Sequence, residues 1–227
     1  MVQEFTEERV LSVGPPGVAF ATFAGRFNWR DREEAILGLQ DLRLQTQTPS
    51  LFRLDGDPAV LTEDFLFLEG WVIKYELVQM AWESGSIESS VELLSAETPA
   101  DRIEVASFMT DQFMIQGRPE MRQLIISATS RSPLDLYRLR GHHGLLGAVM
   151  LSETDQCLGL YNLCVDQQLR GKGTGSKIVS WVQQKSLELG KPIVLQCSPE
   201  LKGFYRSCGF RVSGSMQCWG RLDPSIM

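Results

Sequence analysis

Residues 158–175 decide the fold and read Leu158-Gly-Leu-Tyr-Asn-Leu-Cys-Val-Asp-Gln-Gln-Leu-Arg-Gly-Lys-Gly-Thr-Gly175. The apolar first part predicts a buried strand, and the second part is a glycine-rich turn that carries two cations. A helix is predicted over 175–189, since Gly190 and Pro192 follow as a stop signal. Glycines let backbone N–H groups approach a ligand, and a helix N-terminus carries unpaired donors with partial positive charge. The pattern therefore favours a phosphate or pyrophosphate.

Two familiar phosphate-binding motifs do not fit this turn. Gly171-x-Gly173-x-Gly175 is one residue short of the dinucleotide fingerprint, and the Gly-Lys-Ser/Thr ending of a P-loop is missing. A glycine-rich turn with solvated cations, without any ligand, remains the alternative at this point.

The pattern on either side of this stretch predicts a mixed α/β sheet fold. In the second part of the chain, strands are predicted near 91–94, 134–140, 145–151, 158–165, 193–197, 210–212 and 216–219. Helices are predicted near 99–113, 119–129, 175–189 and 200–208. The first part predicts a strand over 17–24, a helix capped by Asp31, a strand over 50–54, a helix near 63–69, and one long strand or a hairpin over 71–82.

The chain is predicted to contain two domains, 1–85 and 86–227. A length of 227 residues suits one full domain and a smaller one. The small polar residues at 83–90 are the predicted linker.

A second motif lies downstream, where a strand leads into Phe204-Tyr205-x-x-x-Gly209-Phe210. Together with Arg170-x-x-Gly173-x-Gly175, this run resembles the Gcn5-related N-acetyltransferase (GNAT) superfamily over residues 89–222. The first motif matches the family's pyrophosphate-binding Arg/Gln-x-x-Gly-x-Gly/Ala pattern, and the second matches its Tyr-x-x-x-Gly-Phe signature. The resemblance implies the GNAT acyl-CoA N-acyltransferase fold.

The resemblance also implies a site for acetyl-CoA as cosubstrate. Its pantetheine arm would lie in a V between the strands 158–165 and 193–197, pairing with the backbone of Leu163, Cys164 and Val165. The pyrophosphate would be held by the turn residues Arg170, Gly171, Lys172, Gly173, Thr174 and Gly175. Ser198 stands where the family often places an Asn that contacts the cofactor. Tyr205 would act as general acid on the leaving thiolate, with packing of its ring as the alternative.

The general base remains open. Many relatives carry a Glu on the strand before the turn, but Tyr161 stands at the matching position. A water relay through Asp166, Glu153 or backbone carbonyls is one hypothesis, and solvated loop carboxylates are the simpler interpretation of these acids. Backbone donors near the end of the strand would polarise the thioester carbonyl.

Other reactive side chains have simpler interpretations. Cys164 and Cys197 are predicted to be core residues, although a covalent acetyl intermediate is conceivable. The His142-His143 pair is predicted to lie in a turn, because adjacent histidines point apart and make a poor metal site. No metal is predicted.

The first half repeats part of this pattern. Phe65-Leu66-x-x-x-Gly70-Trp71 has the spacing of the Tyr205 motif, but Leu66 replaces the tyrosine. The turn Gly25-Arg-Phe-Asn-Trp-Arg30 lacks the second and third glycines. Residues 1–85 are therefore interpreted as a degenerate, truncated, non-catalytic GNAT-like domain, with an unrelated α/β cap as the alternative. Trp29, Trp71 and Trp82 are candidates either for contact with the catalytic domain or for a core.

Composition limits the partners and the compartment. The net charge of −6 argues against a broad nucleic-acid or anionic-membrane surface. Five cysteines without a CxxC pair suggest neither a disulfide framework nor a zinc site, and fit a reducing cytoplasm. The N-terminus is too acidic for a signal peptide, and no run is long enough to span a bilayer. A homodimer is left open.

The expected function is transfer of acetyl from acetyl-CoA to a primary amine of a small molecule. An acyl-CoA sensor without turnover and a protein or peptide N-acetyltransferase are the alternatives. The stretch from Cys197 to Tyr205 is also similar to a segment of glucosamine-6-phosphate N-acetyltransferases, which hints at an amino sugar. That similarity is short, and the acceptor stays open.

Overall fold

The computed structural model describes residues 2–5, 10–13, 23–25, 27–45, 50–55, 57, 59–85, 87–113 and 119–221. Its strands are β1 Val2–Phe5, β2 Val10–Val13, β3 Phe23–Gly25, β4 Ser50–Leu54, β5 Trp71–Trp82, β6 Leu94–Ser95, β7 Asp135–Gly141, β8 Gly144–Glu153, β9 Leu158–Val165, β10 Ile193–Cys197 and β11 Arg211–Arg221. Its α-helices are α1 Arg32–Gln45, α2 Glu63–Leu68, α3 Pro99–Gln112, α4 Pro119–Ser130, α5 Thr174–Leu189 and α6 Lys202–Ser207. Of the strand predicted over 17–24, residues 17–22 lie outside the described residues.

The predicted mixed α/β fold is confirmed. Strand pairs of both directions occur, with β9 and β10 parallel and β8 and β9 antiparallel. The contacts divide the chain into two compact units. The first comprises Met1–Gln79, Cys197–Glu200 and Ser213–Met227, and the second comprises Met80–Gln196 and Leu201–Val212. The units are thus discontinuous in sequence, whereas the predicted domains 1–85 and 86–227 are contiguous.

In the first unit, strands follow the order β1-β2-β3-β4-β11-β5. Asp31 starts α1, because its Oδ1 accepts hydrogen bonds from the backbone N–H groups of Glu33 and Glu34. The helix then buries Ala35, Leu39 and Leu42 completely, at the spacing of one helix face. The predicted cap and helix are therefore confirmed.

Trp29 and Trp71 belong to the buried core of this first unit. Trp29 stacks on Phe27 with ring centroids 4.3 Å apart. A Cβ at Gly38 of α1 would lie 2.3 Å from Trp29 Cζ2, so only a glycine allows the indole to lie on this helix. The core interpretation of these two tryptophans holds.

In the second unit, strands follow the order β10-β9-β8-β7-β6. Helix α3 covers one face of this sheet, where its Val105 and Met109 pack with Leu136, Ala148, Met150 and Cys164. The other face meets α5, and a Cβ at Gly147 would lie 2.5 Å from Ile178 Cδ1. Gly147 therefore permits the close approach of β8 to α5.

Two strand predictions need correction. The last two strands, expected at 210–212 and 216–219, form the single strand β11. Within the Ser-Gly-Ser stretch at 213–215 that joins the two predicted segments, Asp55 accepts hydrogen bonds from the Ser215 N–H and hydroxyl groups. The strand expected at 91–94 is reduced to Leu94–Ser95. The segment 71–82 is one long strand and not a hairpin.

Candidate functional site

The strands β9 and β10 separate towards the glycine-rich turn. Their parallel pairing extends from Ile193 opposite Leu158 to Leu195 opposite Leu160. Strand β9 continues beyond this last pair to Val165. The recorded pairing of the two strands therefore ends before the turn, at the place where the resemblance implied a V.

A β-bulge interrupts β9 beside this opening. Ala148 of β8 faces Cys164, but Met150 faces Tyr161, so that Val149 faces both Asn162 and Leu163. Asn162 has a φ of 49°, and no other non-glycine residue of the described chain has a positive φ. A bulge leaves one residue out of the strand ladder and re-aims its polar groups. The one sequence signal for this bulge is an Asn within an apolar strand, because Asn is among the residues that best tolerate this conformation.

The three glycines of the turn have two different structural roles. Gly171 and Gly173 have φ values of 72° and 82°, and a Cβ on either would meet nothing within 4 Å. Glycine is therefore favoured at both positions by the left-handed backbone conformation, since a Cβ would meet no neighbouring atoms. A Cβ on Gly175 would lie 3.3 Å from Phe204 Cζ. The third glycine thus brings the start of α5 against α6, which carries the second motif.

The N-terminus of α5 is available to a ligand. Gly173 precedes the helix in the left-handed conformation and makes no side-chain capping bond. The first backbone N–H groups of a helix have no partner within the helix and carry partial positive charge. Helix α5 runs to Leu189 and ends at Gly190, with a φ of 66°, as predicted.

Arg170 is fixed beside this N-terminus. Its Nε donates to the carbonyl oxygen of Val165 over 3.3 Å. Its Nη2 donates to both the backbone oxygen and the side-chain Oε1 of Gln112, each over 3.1 Å. The guanidinium therefore links the end of β9 with the end of α3.

One cavity of about 670 Å³ joins the two sequence motifs. It is lined by Gln112, Phe113, Leu163, Cys164, Val165, Leu169, Arg170, Gly171, Gly173, Gly175, Ser176, Leu201, Phe204 and Tyr205. Most of the predicted site residues lie on this wall. Gln112, Phe113 and Leu201 also line the cavity, and no motif predicted them because they come from helix ends outside the two motifs.

Three predicted site residues do not line the cavity. Lys172 is exposed in the turn, and Thr174 is the half-buried first residue of α5. Ser198 follows β10, where a hydrogen bond from its side chain lowers the pKa of Glu200.

Tyr205 is 6% exposed and lies on the cavity wall. Its ring meets the rings of Phe204 and Phe210 edge to face, with centroids 4.9 and 5.6 Å away. Gly209, with a φ of 86°, ends the short helix and lets the Phe210 N–H group donate to the Tyr205 carbonyl oxygen. The Tyr-x-x-x-Gly-Phe spacing therefore builds a compact turn that holds the tyrosine in place.

The candidate bases already have structural partners. Glu153 is opposite Leu158, at the far end of β9 from Val165. Lys191 donates to it over 2.6 Å and lowers its pKa. Asp166 Oδ1 accepts from the Gln168 N–H group and starts a turn of 3₁₀ helix. Tyr161 is 40% exposed.

The remaining reactive side chains do not form a second site. Burial raises the pKa of Cys164 to about 12, so its thiol stays protonated near neutral pH, and Cys197 is buried as well. His142 and His143 are exposed in the turn between β7 and β8, as predicted. Within the described ranges, no group of three or more His, Cys, Asp or Glu side chains is arranged to hold a metal ion.

Comparison with known proteins identifies the class. Residues 136–212 match the family model of the acetyltransferase (GNAT) domain, and this match contains the glycine-rich turn and Tyr205. These 77 of the 227 residues are therefore similar to a GNAT domain. Comparison with curated protein sequences finds no match.

Solved structures show the same fold over most of the chain. A GCN5-related N-acetyltransferase from Kribbella flavida has a TM-score of 0.74 at 13% identity, covering 99% of this chain and 91% of that one. A conserved protein of unknown function from Staphylococcus epidermidis ATCC 12228 has a TM-score of 0.70 at 15% identity, with coverages of 96% and 92%. A tandem GNAT protein from the clavulanic acid biosynthesis pathway has a TM-score of 0.62 at 11% identity, with coverages of 94% and 78%. At such identities the likeness establishes the GNAT fold.

Proposed function

We propose that this chain is an acetyl-CoA-dependent N-acetyltransferase that acetylates a primary amine of a small molecule. The observation that carries the proposal is the meeting of two motifs at one cavity: the glycine-rich turn before α5 and Tyr205 on α6. The similarity of residues 136–212 to the GNAT domain supports acetyl transfer as the reaction class.

The turn suits the pyrophosphate of acetyl-CoA. Left-handed Gly171 and Gly173 expose backbone without a side chain in the way. The N–H groups of Thr174 and Gly175 lie at the positive end of α5, and Arg170 and Lys172 add two cations. The pantetheine arm would follow the backbone of Leu163, Cys164 and Val165, which line the cavity.

The chemical step is direct transfer. The lone pair of a neutral amine attacks the thioester carbonyl carbon, and backbone donors near the bulge at Asn162 polarise the carbonyl oxygen. The carbon–sulfur bond then breaks, and Tyr205 donates its phenolic proton to the leaving thiolate. The acylated nitrogen gives up its extra proton through solvent, which yields the amide and restores the phenol. The amine must first lose a proton. Glu153 is disfavoured as the base because it pairs with Lys191 and lies at the far end of β9. A water relay through Asp166 or backbone carbonyls is therefore the working hypothesis.

A second candidate is an acyl-CoA sensor without turnover, and Tyr161 in place of a carboxylate favours it. Acetylation of a protein or peptide amine is the third. The small-molecule acceptor and a cytoplasmic location are predictions that belong to this proposal. All five cysteines are free thiols, which fits a reducing compartment. No helix in the described part of the chain has the length and apolarity needed to cross a membrane.

We also propose that residues 1–85 form a degenerate, truncated GNAT-like half without catalytic function. Its elements β3-α1-β4-α2-β5 follow the same order as β9-α5-β10-α6-β11, and β3 and β4 pair in parallel as β9 and β10 do. In the segment before α1, Phe27 and Trp29 are buried and stacked on each other, and Leu66 is buried at the position of the tyrosine.

A thiol-release screen tests the proposed reaction. Acetyl-CoA is mixed with the protein and amino sugars, polyamines, amino acids, aminoglycosides or peptides, and free CoA is followed with a thiol reagent. We expect release above the hydrolysis rate for one of the small amines, and a product heavier by one acetyl group. Binding of acetyl-CoA without a pre-steady-state burst of CoA for any acceptor class would favour the sensor. Turnover with peptides alone would replace the small-molecule acceptor.

A further inference from the structure

Three hydrogen bonds within the protein hold the guanidinium of Arg170. Its Nε donates to Val165, and its Nη2 donates to both oxygens of Gln112. A guanidinium has five N–H donors, of which Nη1 carries two. Among the described residues, Nη1 has no assigned partner. The contacts with the described residues therefore fix the guanidinium and involve Nε and Nη2, so Nη1 is the nitrogen that we assign to an anion.

The end of α3 is suited to hold this cation. The last carbonyl groups of a helix have no partner within the helix and carry partial negative charge. Helix α3 has no basic residue in its own last turn. Arg170, distant in sequence, donates to the carbonyl of its final residue, Gln112, and so serves as a C-terminal cap.

Gln112 contributes more than its backbone. Its side-chain oxygen is a second acceptor for the same nitrogen, and both Gln112 and Arg170 line the cavity. A free arginine side chain loses rotamer entropy when a ligand orders it. An arginine that is already ordered avoids this loss, which increases affinity through preorganisation.

We propose that Gln112 is a positioning residue that orients Arg170 towards the pyrophosphate of acyl-CoA. The inference rests on the proposed function, because it assigns the anion at the turn to the cofactor. It adds to the motif a residue from another helix, 58 positions away in sequence.

The test compares acetyl-CoA with S-acetylpantetheine, which has the same thioester and arm but lacks the whole 3′-phosphoadenosine diphosphate. S-acetyl-dephospho-CoA, which keeps the pyrophosphate and lacks only the 3′-phosphate, should show the same response as acetyl-CoA if the contact is to the pyrophosphate. Calorimetric titration, or displacement titration for the weaker ligand, gives the affinities for the wild type, Gln112→Ala, Arg170→Ala and the double variant. Gln168→Ala is the matched control, since Gln168 is exposed near Arg170 but does not line the cavity.

Gln112→Ala is expected to weaken acetyl-CoA binding about three- to tenfold, the range for one hydrogen bond. S-acetylpantetheine binding should stay within about twofold of the wild type, as should both affinities of Gln168→Ala. The double variant should bind acetyl-CoA no more weakly than Arg170→Ala, since Gln112 acts through Arg170. Gln112→Glu should weaken it further at low salt, because the carboxylate pairs with Arg170 and repels phosphate.

Three results would overturn the inference while leaving the proposed function intact. These are unchanged acetyl-CoA affinity in Gln112→Ala and Gln112→Glu, equal weakening of both ligands, and full additivity in the double variant. Failure of the wild type to bind acetyl-CoA would instead defeat the proposed function. Urea unfolding of each variant shows whether the loss is global, and the S-acetylpantetheine affinity separates a folding defect from a lost phosphate contact.

Discussion

Gly173 and Gly190 lie at opposite ends of α5 and offer a matched pair of substitutions. Their φ values are 82° and 66°, and a Cβ on either would meet nothing within 4 Å. Replacing either with Ala therefore adds the same methyl group in the same kind of backbone conformation. Only Gly173 lines the cavity.

The stability cost follows from the backbone alone. An L-residue in the left-handed region costs about 1–2 kcal/mol. Alanine also restricts the unfolded chain, which offsets about 0.4–1 kcal/mol. Each variant should therefore lose about 1 kcal/mol in the free energy of unfolding, measured by urea titration.

The two variants should differ in cofactor binding. The methyl group at Gly173 points into space that the proposal assigns to pyrophosphate, so the Kd for acetyl-CoA should rise at least about tenfold, equivalent to about 1.4 kcal/mol. Gly190→Ala should bind acetyl-CoA like the wild type. An unchanged Kd in Gly173→Ala, or equal weakening in both variants, would refute the assignment of the turn to the phosphate.

Three further predictions concern individual side chains. Tyr205→Phe should keep the ring contacts and the acetyl-CoA affinity but lower kcat about 10²-fold or more, as expected when a general acid is lost; an unchanged kcat would favour a packing role. Cys164 should react with a thiol reagent at pH 8 only after denaturation, because its pKa is about 12 in the fold. The folded state then binds this proton more tightly than the unfolded state, so its contribution to stability should be present below about pH 9 and fall as the pH rises towards 12, and Cys164→Ala should show a smaller alkaline decline. Glu153→Gln should leave the rate of acetyl transfer unchanged. A large decrease in that rate would instead identify Glu153 as the base.

The sequence predicted the elements that carry periodic or motif signals. Helix α1 follows its Asp31 cap and its buried stripe, and α5 follows its glycine stop, because both signals are local. The two motifs also predicted that the turn and Tyr205 would share one site. The two motifs predict a shared site because Gly175 of the first motif lies against Phe204 of the second.

Features that depend on distant contacts were not predictable in the same way. The continuity of β11 through its Ser-Gly-Ser stretch was not predicted, because Ser215 donates its hydrogen bonds to Asp55, which is far away in sequence. The bulge at Asn162 depends on the register with β8, and the place of Gln112 depends on Arg170, far away in sequence. The discontinuous first unit has the same origin, since β11 pairs with β4.

The most direct test of the central claim is calorimetric titration of acetyl-CoA into the wild type and into Gly173→Asp. The aspartate carboxylate would occupy and repel the proposed pyrophosphate position. We predict micromolar binding by the wild type and none by a folded Gly173→Asp variant. No binding by either protein, or equal binding by both, would contradict the assignment of this cavity to acetyl-CoA.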